Sequence, residues 1–371
     1  MKLTTTADRL KAALDATTAI SPGTGKRPQL EATLITVKDP GVAEFAATDT
    51  CDAFWFSLDK LDAHEPGVVF LPSANLLAAV KKAADGPITI SWDGKAGRAN
   101  LSFGKTSVQL PVEEVADAPA MHRFSPTGKS VAVPFKTLVS LFERTNFAVL
   151  GDFKGRRVLS GVCVKVKEKT IRCVASDGIR MATVEQDIPN PAGLVATTVV
   201  TPIQKKLIKP IVNEETDSID VQPSSDMLCL RGPRGELVRR AIIGGYPDFD
   251  IDGRLKFTTK VTIPTKSLLQ LLDRALILKE TGARSCALHW SSAGVALEMT
   301  SSLDGSVGSS LEVPWPYPPI TTRIDPTLLV QAVKAADAES VTLSFGKTEE
   351  PTVLREEGPG FLFLYALSPK F

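Results

Sequence analysis

Apolar positions in this chain follow two periods that alternate from end to end. Helical spacing appears first in the N-terminal "TTADRLKAALDATTAI", which reads as an amphipathic helix. It returns in a shared pattern: Pro134, Lys136, Leu138, Leu141 and Arg144 match Pro264, Lys266, Leu268, Leu271 and Arg274, each pair 130 residues apart. Both segments read P-x-K-x-L-x-x-L-x-x-R, with a proline that suits a first helical turn. A second helical stretch opens near Pro72, Pro202 and Pro326, with Thr201 and Asp325 as N-cap candidates. Pro210 interrupts the middle copy and is expected to kink or shorten it.

Between the helices the period is two. In "GVCVKVKEKTIRCVASD", Val162, Val164 and Val166 share one face while Lys165 and Lys167 share the other. "EKT" turns the chain, and Ile171, Cys173 and Ala175 resume the alternation. Each repeat thus holds a helix, several strands, a second helix and more strands. The expectation is an α+β fold of three similar, internally duplicated domains at residues 1–125, 126–253 and 254–371, with seams near Ser125 and Gly253.

The hexapeptide "LSFGKT" occurs at Leu101–Thr106 and Leu343–Thr348 and ends like a phosphate-binding loop. That loop needs a glycine five residues before the second one, so that backbone N–H groups can wrap the phosphates. Ala99 and Val341 stand there, and Ile20 stands there for "GTGKR". The hexamers therefore read as strand followed by a Gly-Lys turn.

Net charge is only +1, so any electrostatic argument is local. The six helical stretches together carry +5 and the remainder −4. Helices sharing one face would attract a phosphate backbone without reading its sequence. The five cysteines, odd in number and without a C-x-x-C pair, read as reduced thiols of a cytosolic protein. Cys163 and Cys173 would be bridged only if neighbouring strands set them side by side. The charged N-terminus is unlike a signal peptide, and no run of eighteen apolar residues exists. The three histidines lie far from one another, and none completes a metal-ligand pattern with a cysteine, which leaves no evident zinc site. Asp177 is expected to fix the turn before Gly178 rather than to act as a catalytic carboxylate. The reading is of a protein that is not an enzyme and needs no cofactor or metal.

One family fits these elements in order. "LSGVCVKVKEKTIRCVASDGIRMA" resembles the central signature of bacterial sliding clamps, the beta subunit of DNA polymerase III, in which two strands lead into A-[TS]-D-G-H-R-[LM]-A. The likeness extends to "KRP" at Lys26–Pro28, "GGYPDFD" at Gly244–Asp250, "RALIL" at Arg274–Leu278 and the C-terminal "FLFLYALSPKF". The resemblance implies clamp-type domains with two helices each on a curved antiparallel sheet. It also implies a head-to-tail homodimer closed into a ring around double-stranded DNA, with the helices lining the hole. Such a ring tethers the replicative DNA polymerase, the clamp loader and other clamp-binding-motif proteins in the cytoplasm.

Carried over by position, the peptide cleft that receives those partners comprises Leu159, Ser176, Gly178, Ile179, Arg180, Met181, Pro247, Pro351, Leu367 and Ser368. Arg27, Arg156 and Arg157 match DNA-approaching positions, and composition adds Lys205, Lys206 and Lys209. Ile277 and Leu278 match the dimer interface, opposite Val108 and Leu110 of an edge strand. Ile179 replaces the usual histidine, Asp250, Ile251 and Asp252 replace basic and apolar positions, and the ending lacks methionine. These departures leave open a clamp-like paralogue that binds replication proteins without working as a loaded ring.

Overall fold

The computed structural model describes residues 1–21, 27–39, 41–83, 86–114, 118–151, 155–213, 215–249, 255–278, 285–301, 305–347 and 349–370. Gly23, Lys26, Asp250, Ile251, Asp252, the seam residue Gly253 and Thr348 lie outside the described residues.

Six α-helices are described: α1 (Ala7–Thr18), α2 (Ser73–Val80), α3 (Phe135–Glu143), α4 (Lys205–Ile208), α5 (Thr265–Ala275) and α6 (Pro326–Ala335). Each follows an expected stretch but is shorter. The prolines are not where the repeat pattern placed them. Pro72 and Pro264 are N-caps with extended ψ, and Pro134 ends a strand; only Pro326 sits inside a first turn. A proline lacks the N–H that a strand needs to continue its ladder, so it suits the strand-to-helix switch equally well. Asp325 caps α6 by accepting from the N–H groups of Thr327 (2.9 Å) and Leu328 (3.3 Å). Thr201 is not an N-cap: α4 begins later, behind Gln204. Pro210 ends α4 after one turn, and the chain tightens into the 3-10 turn Lys209–Ile211.

The strands form four sheets in which every described pairing is antiparallel, which makes the chain an α+β protein. Both copies of Leu-Ser-Phe end strands, and Gly104 turns with φ +54°. The chain divides into two compact units that cut across the expected seams.

Unit 1 holds Met1–Val139, Asn190–Leu194 and Ile203–Ala241. Its eight-stranded sheet runs Val131–Pro134, Ser218–Pro223, Met227–Gly232, Gly235–Arg240, Asp52–Leu58, Val42–Thr48, Ala32–Lys38, Gly67–Pro72. A five-stranded sheet runs Ala63–Glu65, Lys2–Thr6, Pro87–Ser91, Arg98–Phe103, Thr106–Pro111, so Thr106–Pro111 is an edge. Phe45, Phe54, Phe56 and Phe70 fill the core with Leu10 and Leu14 of α1, each fully buried aliphatic side chain contributing about 1.5–3 kcal/mol. The segment around Phe124 straps the other face. Arg123 stacks 3.8 Å above Trp55 and donates to Glu44 at 2.7 Å, and Arg231 lies 4.0 Å above the Phe124 ring.

Unit 2 holds Ser140–Pro189, Val195–Pro202 and Ile242–Phe371. Its eight-stranded sheet runs Ala196–Val200, Val162–Val166, Thr170–Ser176, Arg180–Asp187, Phe361–Leu367, Thr352–Gly358, Ser340–Phe345, Thr259–Pro264. A four-stranded sheet runs Gly305–Leu311, Gly294–Ser301, Cys286–Ser291, Ile320–Ile324, so Gly305–Leu311 is an edge. Trp290 and Trp315 stack at 5.2 Å in its core, 1% and 5% exposed.

The Val162–Val166 strand is buried on both faces, including Cys163. Cys163 pairs with Val174 and Cys173 with Val164, so the two thiols point to opposite faces and cannot be bridged. Burial raises the Cys163 thiol to about 11.

Candidate functional site

The turn Asp177–Arg180 organises one corner of unit 2. The Asp177 carboxylate accepts from the N–H groups of Ile179 and Arg180, both at 2.9 Å, and Gly178 takes φ +90°. This is the turn-fixing role expected of Asp177. A side chain at Gly178 would meet open space, so the requirement for glycine is conformational.

Arg180 turns back from that turn and is held on three sides. Its Nε donates to Asp177 (3.0 Å), its Nη2 to the Phe147 carbonyl (2.6 Å), and its Nη1 to Gln331 of α6. The Phe147 ring lies 5.6 Å from the guanidinium and 5.9 Å from the Tyr365 ring. Burial raises the Tyr365 phenol well above its usual range, and its hydroxyl donates to the Leu328 carbonyl. Gln331, Phe147 and Tyr365 were not found by sequence reasoning. Only the position of Gln331 on a predicted helix was available to suggest it.

Register brings most of the expected cleft residues together. Met181 pairs with Ala366, Arg180 with Leu367, and Thr352 with Leu367, while the Ser368 N–H reaches the Ile179 carbonyl at 2.9 Å. Ser176 lies one turn away, bonded to the Arg180 carbonyl at 2.7 Å, and Pro351 enters the strand beside Leu367. Leu159 lies within the short turn Arg157–Ser160, and its carbonyl accepts from the Leu150 N–H. Pro247 lies between Tyr246, which packs on the Cys163–Met181 cluster, and Asp248, which pairs with Lys165 at 3.6 Å. Met181, 4% exposed, faces Ala366 in the cluster that Tyr246 covers, whereas Leu367, 0% exposed, points to the opposite sheet face beside Arg180; Leu159 is buried as well, and Ile179 stands 49% exposed.

The basic positions are all exposed. Arg27, Lys205, Lys206 and Lys209 belong to unit 1, the three lysines within two consecutive short turns; Arg156 and Arg157 belong to unit 2. Lys136 and Lys266, the matched lysines of the repeat, are exposed at the second positions of α3 and α5.

The expected interface residues differ in exposure. Leu110 and Leu278 are each 5% exposed and pack into the cores of their own units. Alternation explains Leu110, which points inward from an edge strand whose neighbour Val108 is half-buried. Ile277 is the exposed member, at 68%.

Among the described residues no group of three or more His, Cys, Asp or Glu side chains is placed to hold a metal, and no helix is long and apolar enough to cross a membrane.

Comparison with known proteins gives one family throughout. Residues 132–248 match the model of the DNA polymerase III beta subunit, central domain. The beta sliding clamp of Caulobacter vibrioides is 23% identical over 296 residues, 78% of either chain. The DNA polymerase III beta subunit of Thermotoga maritima superposes with a TM-score of 0.87 at 22% identity, covering 100% of this chain and 99% of that one. The beta subunit from the DNA polymerase of Streptococcus pyogenes superposes at 0.91 and 20% identity, covering both chains fully.

Proposed function

We infer that this chain, a divergent relative of the bacterial DNA polymerase III beta sliding clamps, is itself a sliding clamp: a processivity factor without chemistry of its own. The observation that carries this is the full-length likeness to clamp structures, joined to the family match at the centre of the chain.

The strand ladders support a head-to-tail pair of three-domain chains at residues 1–125, 126–253 and 254–371. Twice, a strand of one expected domain pairs antiparallel with a strand of the next: Asp52–Leu58 with Gly235–Arg240, and Arg180–Asp187 with Phe361–Leu367. The corresponding strands left over are the edges Gly305–Leu311 and Thr106–Pro111. A second copy offers each edge its mate, and the contact is heterologous, so closure gives a ring. Ile277 stands beside that junction as the apolar contact. Within the ring, exposed lysines and arginines on the helices and loops hold duplex DNA by many weak phosphate contacts, which permits sliding. The Gly178–Arg180 corner, with Pro247, Pro351 and Ser368, receives short apolar peptides from polymerase, clamp loader and other partners. Such a protein works in the cytoplasm.

The test has two arms. Sedimentation must give twice 39.7 kDa. After loading, the protein must stay on circular DNA and run off linear DNA, and Lys205→Glu with Lys206→Glu and Lys209→Glu must flatten the salt dependence of that retention. Equal retention on both DNAs, or a single-chain mass, overturns the reading.

A further inference from the structure

Arg144 closes α3 and is the last residue of the repeated P-x-K-x-L-x-x-L-x-x-R pattern. Its counterpart Arg274 is exposed and reaches only Ser309 among its described partners. Arg144 is different. Its side chain is 7% exposed, and it holds two carboxylates from distant parts of the chain: Glu356 at 2.8 Å and Asp337 at 2.6 Å. The guanidinium also lies 4.8 Å from the Phe361 ring and 5.4 Å from that of Phe363. Glu356, 8% exposed on Thr352–Gly358, additionally accepts the Asp337 N–H at 3.2 Å.

This geometry ties the end of α3 to the strands Thr352–Gly358 and Phe361–Leu367. Three residues after Arg144 comes Phe147, whose carbonyl holds Arg180 and whose ring rests on Tyr365. Six after it comes Leu150, bonded to Leu159. The Arg144–Glu356 pair, with both side chains under 10% exposed, is stiff, weakly screened by salt and costly to leave half-made, whereas Asp337 holds Arg144 from the solvent side at 83% exposure.

We propose that Arg144 is a positioning residue for the peptide corner: anchored by Glu356 and Asp337, it sets Phe147, and through Phe147 the orientation of Arg180 and the Asp177–Arg180 turn. The proposal rests on the clamp reading only for the identity of the ligand, because the positioning concerns the turn itself. A repeat position that is solvated in α5 has become the support of a binding corner in α3.

Hydrogen–deuterium exchange on the full-length protein tests it, alongside titration with a fluorescein-labelled peptide carrying adjacent aliphatic and aromatic anchors. In Arg144→Met, amide exchange across residues 176–182 is expected to quicken at least tenfold, peptide affinity to fall about tenfold, and Arg144→Lys to recover part of both. Leu297→Ala, a core truncation in the four-stranded sheet, serves as the control for general loss of stability and should leave residues 176–182 unchanged. If Arg144→Met does not fold, Glu356→Gln, which keeps shape and removes charge, takes its place with the same expectation. Unchanged exchange at 176–182, or equal quickening in Leu297→Ala, overturns the proposal. Failure of the wild-type protein to bind the peptide overturns the cleft reading instead, and the exchange comparison still decides the role of Arg144.

Discussion

Arg239 and Asp52 face each other across the ladder that joins Gly235–Arg240 to Asp52–Leu58, 187 residues apart in sequence and with side chains 7% and 12% exposed. One guanidinium edge is used in a two-point contact, Nε and Nη2 each donating to one carboxylate oxygen. Burial pushes Asp52 upward, against the hydrogen bonds and charge of Arg239. Arg239→Met removes the only described ion-pair partner of this carboxylate, and a cost of about 3–5 kcal/mol is expected at pH 7. The sign of its pH dependence follows. Without Arg239 the folded pKa of Asp52 rises further above that of the unfolded chain, so the native state takes up the proton first. The deficit therefore narrows as pH falls from 7 toward 4, read by urea unfolding of wild type and variant across that range.

Met181 is buried on the sheet face that Tyr246 covers, whereas Gly178 is needed for its backbone. Met181→Ala is expected to lower stability by about 2–5 kcal/mol and weaken binding of the labelled peptide at least tenfold. Gly178→Ala places a Cβ in open space at φ +90°, costs roughly 1–2 kcal/mol, and perturbs the peptide through the turn alone. A titration in which neither variant differs from wild type would remove the corner from consideration.

Ile277 and Leu110 separate assembly from folding. Ile277→Asp changes an exposed residue, so it should leave unfolding midpoints almost unmoved while shifting sedimentation toward the 39.7 kDa single chain. Leu110→Asp buries a charge in unit 1 and should destabilise the chain at any concentration. The reverse result would place Leu110 at the contact between copies.

Of the five thiols, Cys51 alone is exposed. A thiol-disulfide reagent at pH 8 should therefore titrate one group quickly in the native protein and the other four only after denaturation. Cys163, raised to about 11 by burial, is almost wholly protonated at that pH as well as shielded. Rapid reaction of two or more groups would mean that at least one of the strands carrying a buried thiol opens in the native protein.

Much of this architecture was legible in the sequence, because helical and strand periods are local. The leucines of α3 and α5, the kink at Pro210 and the Asp177 turn each depend on residues within one turn of one another. The missing parts are long-range. Nothing near Arg239 in sequence indicates Asp52, and nothing near Arg144 indicates Glu356. The repeat even argued for treating Arg144 and Arg274 alike, although one is enclosed and the other solvated. The burial of Leu110 and Leu278 was hidden for a related reason: apolar character marks what is kept from water, but whether its own unit or another copy covers it depends on strand orientation.

The stacked indoles of Trp290 and Trp315 make unit 2 its own optical gauge. Two rings 5.2 Å apart in a dry core should couple their transitions, giving a near-ultraviolet circular dichroism couplet and blue-shifted emission. The other two tryptophans, Trp55 and Trp92, lie in unit 1 and are partly wetted. Light alone can therefore report which half of the molecule loosens first.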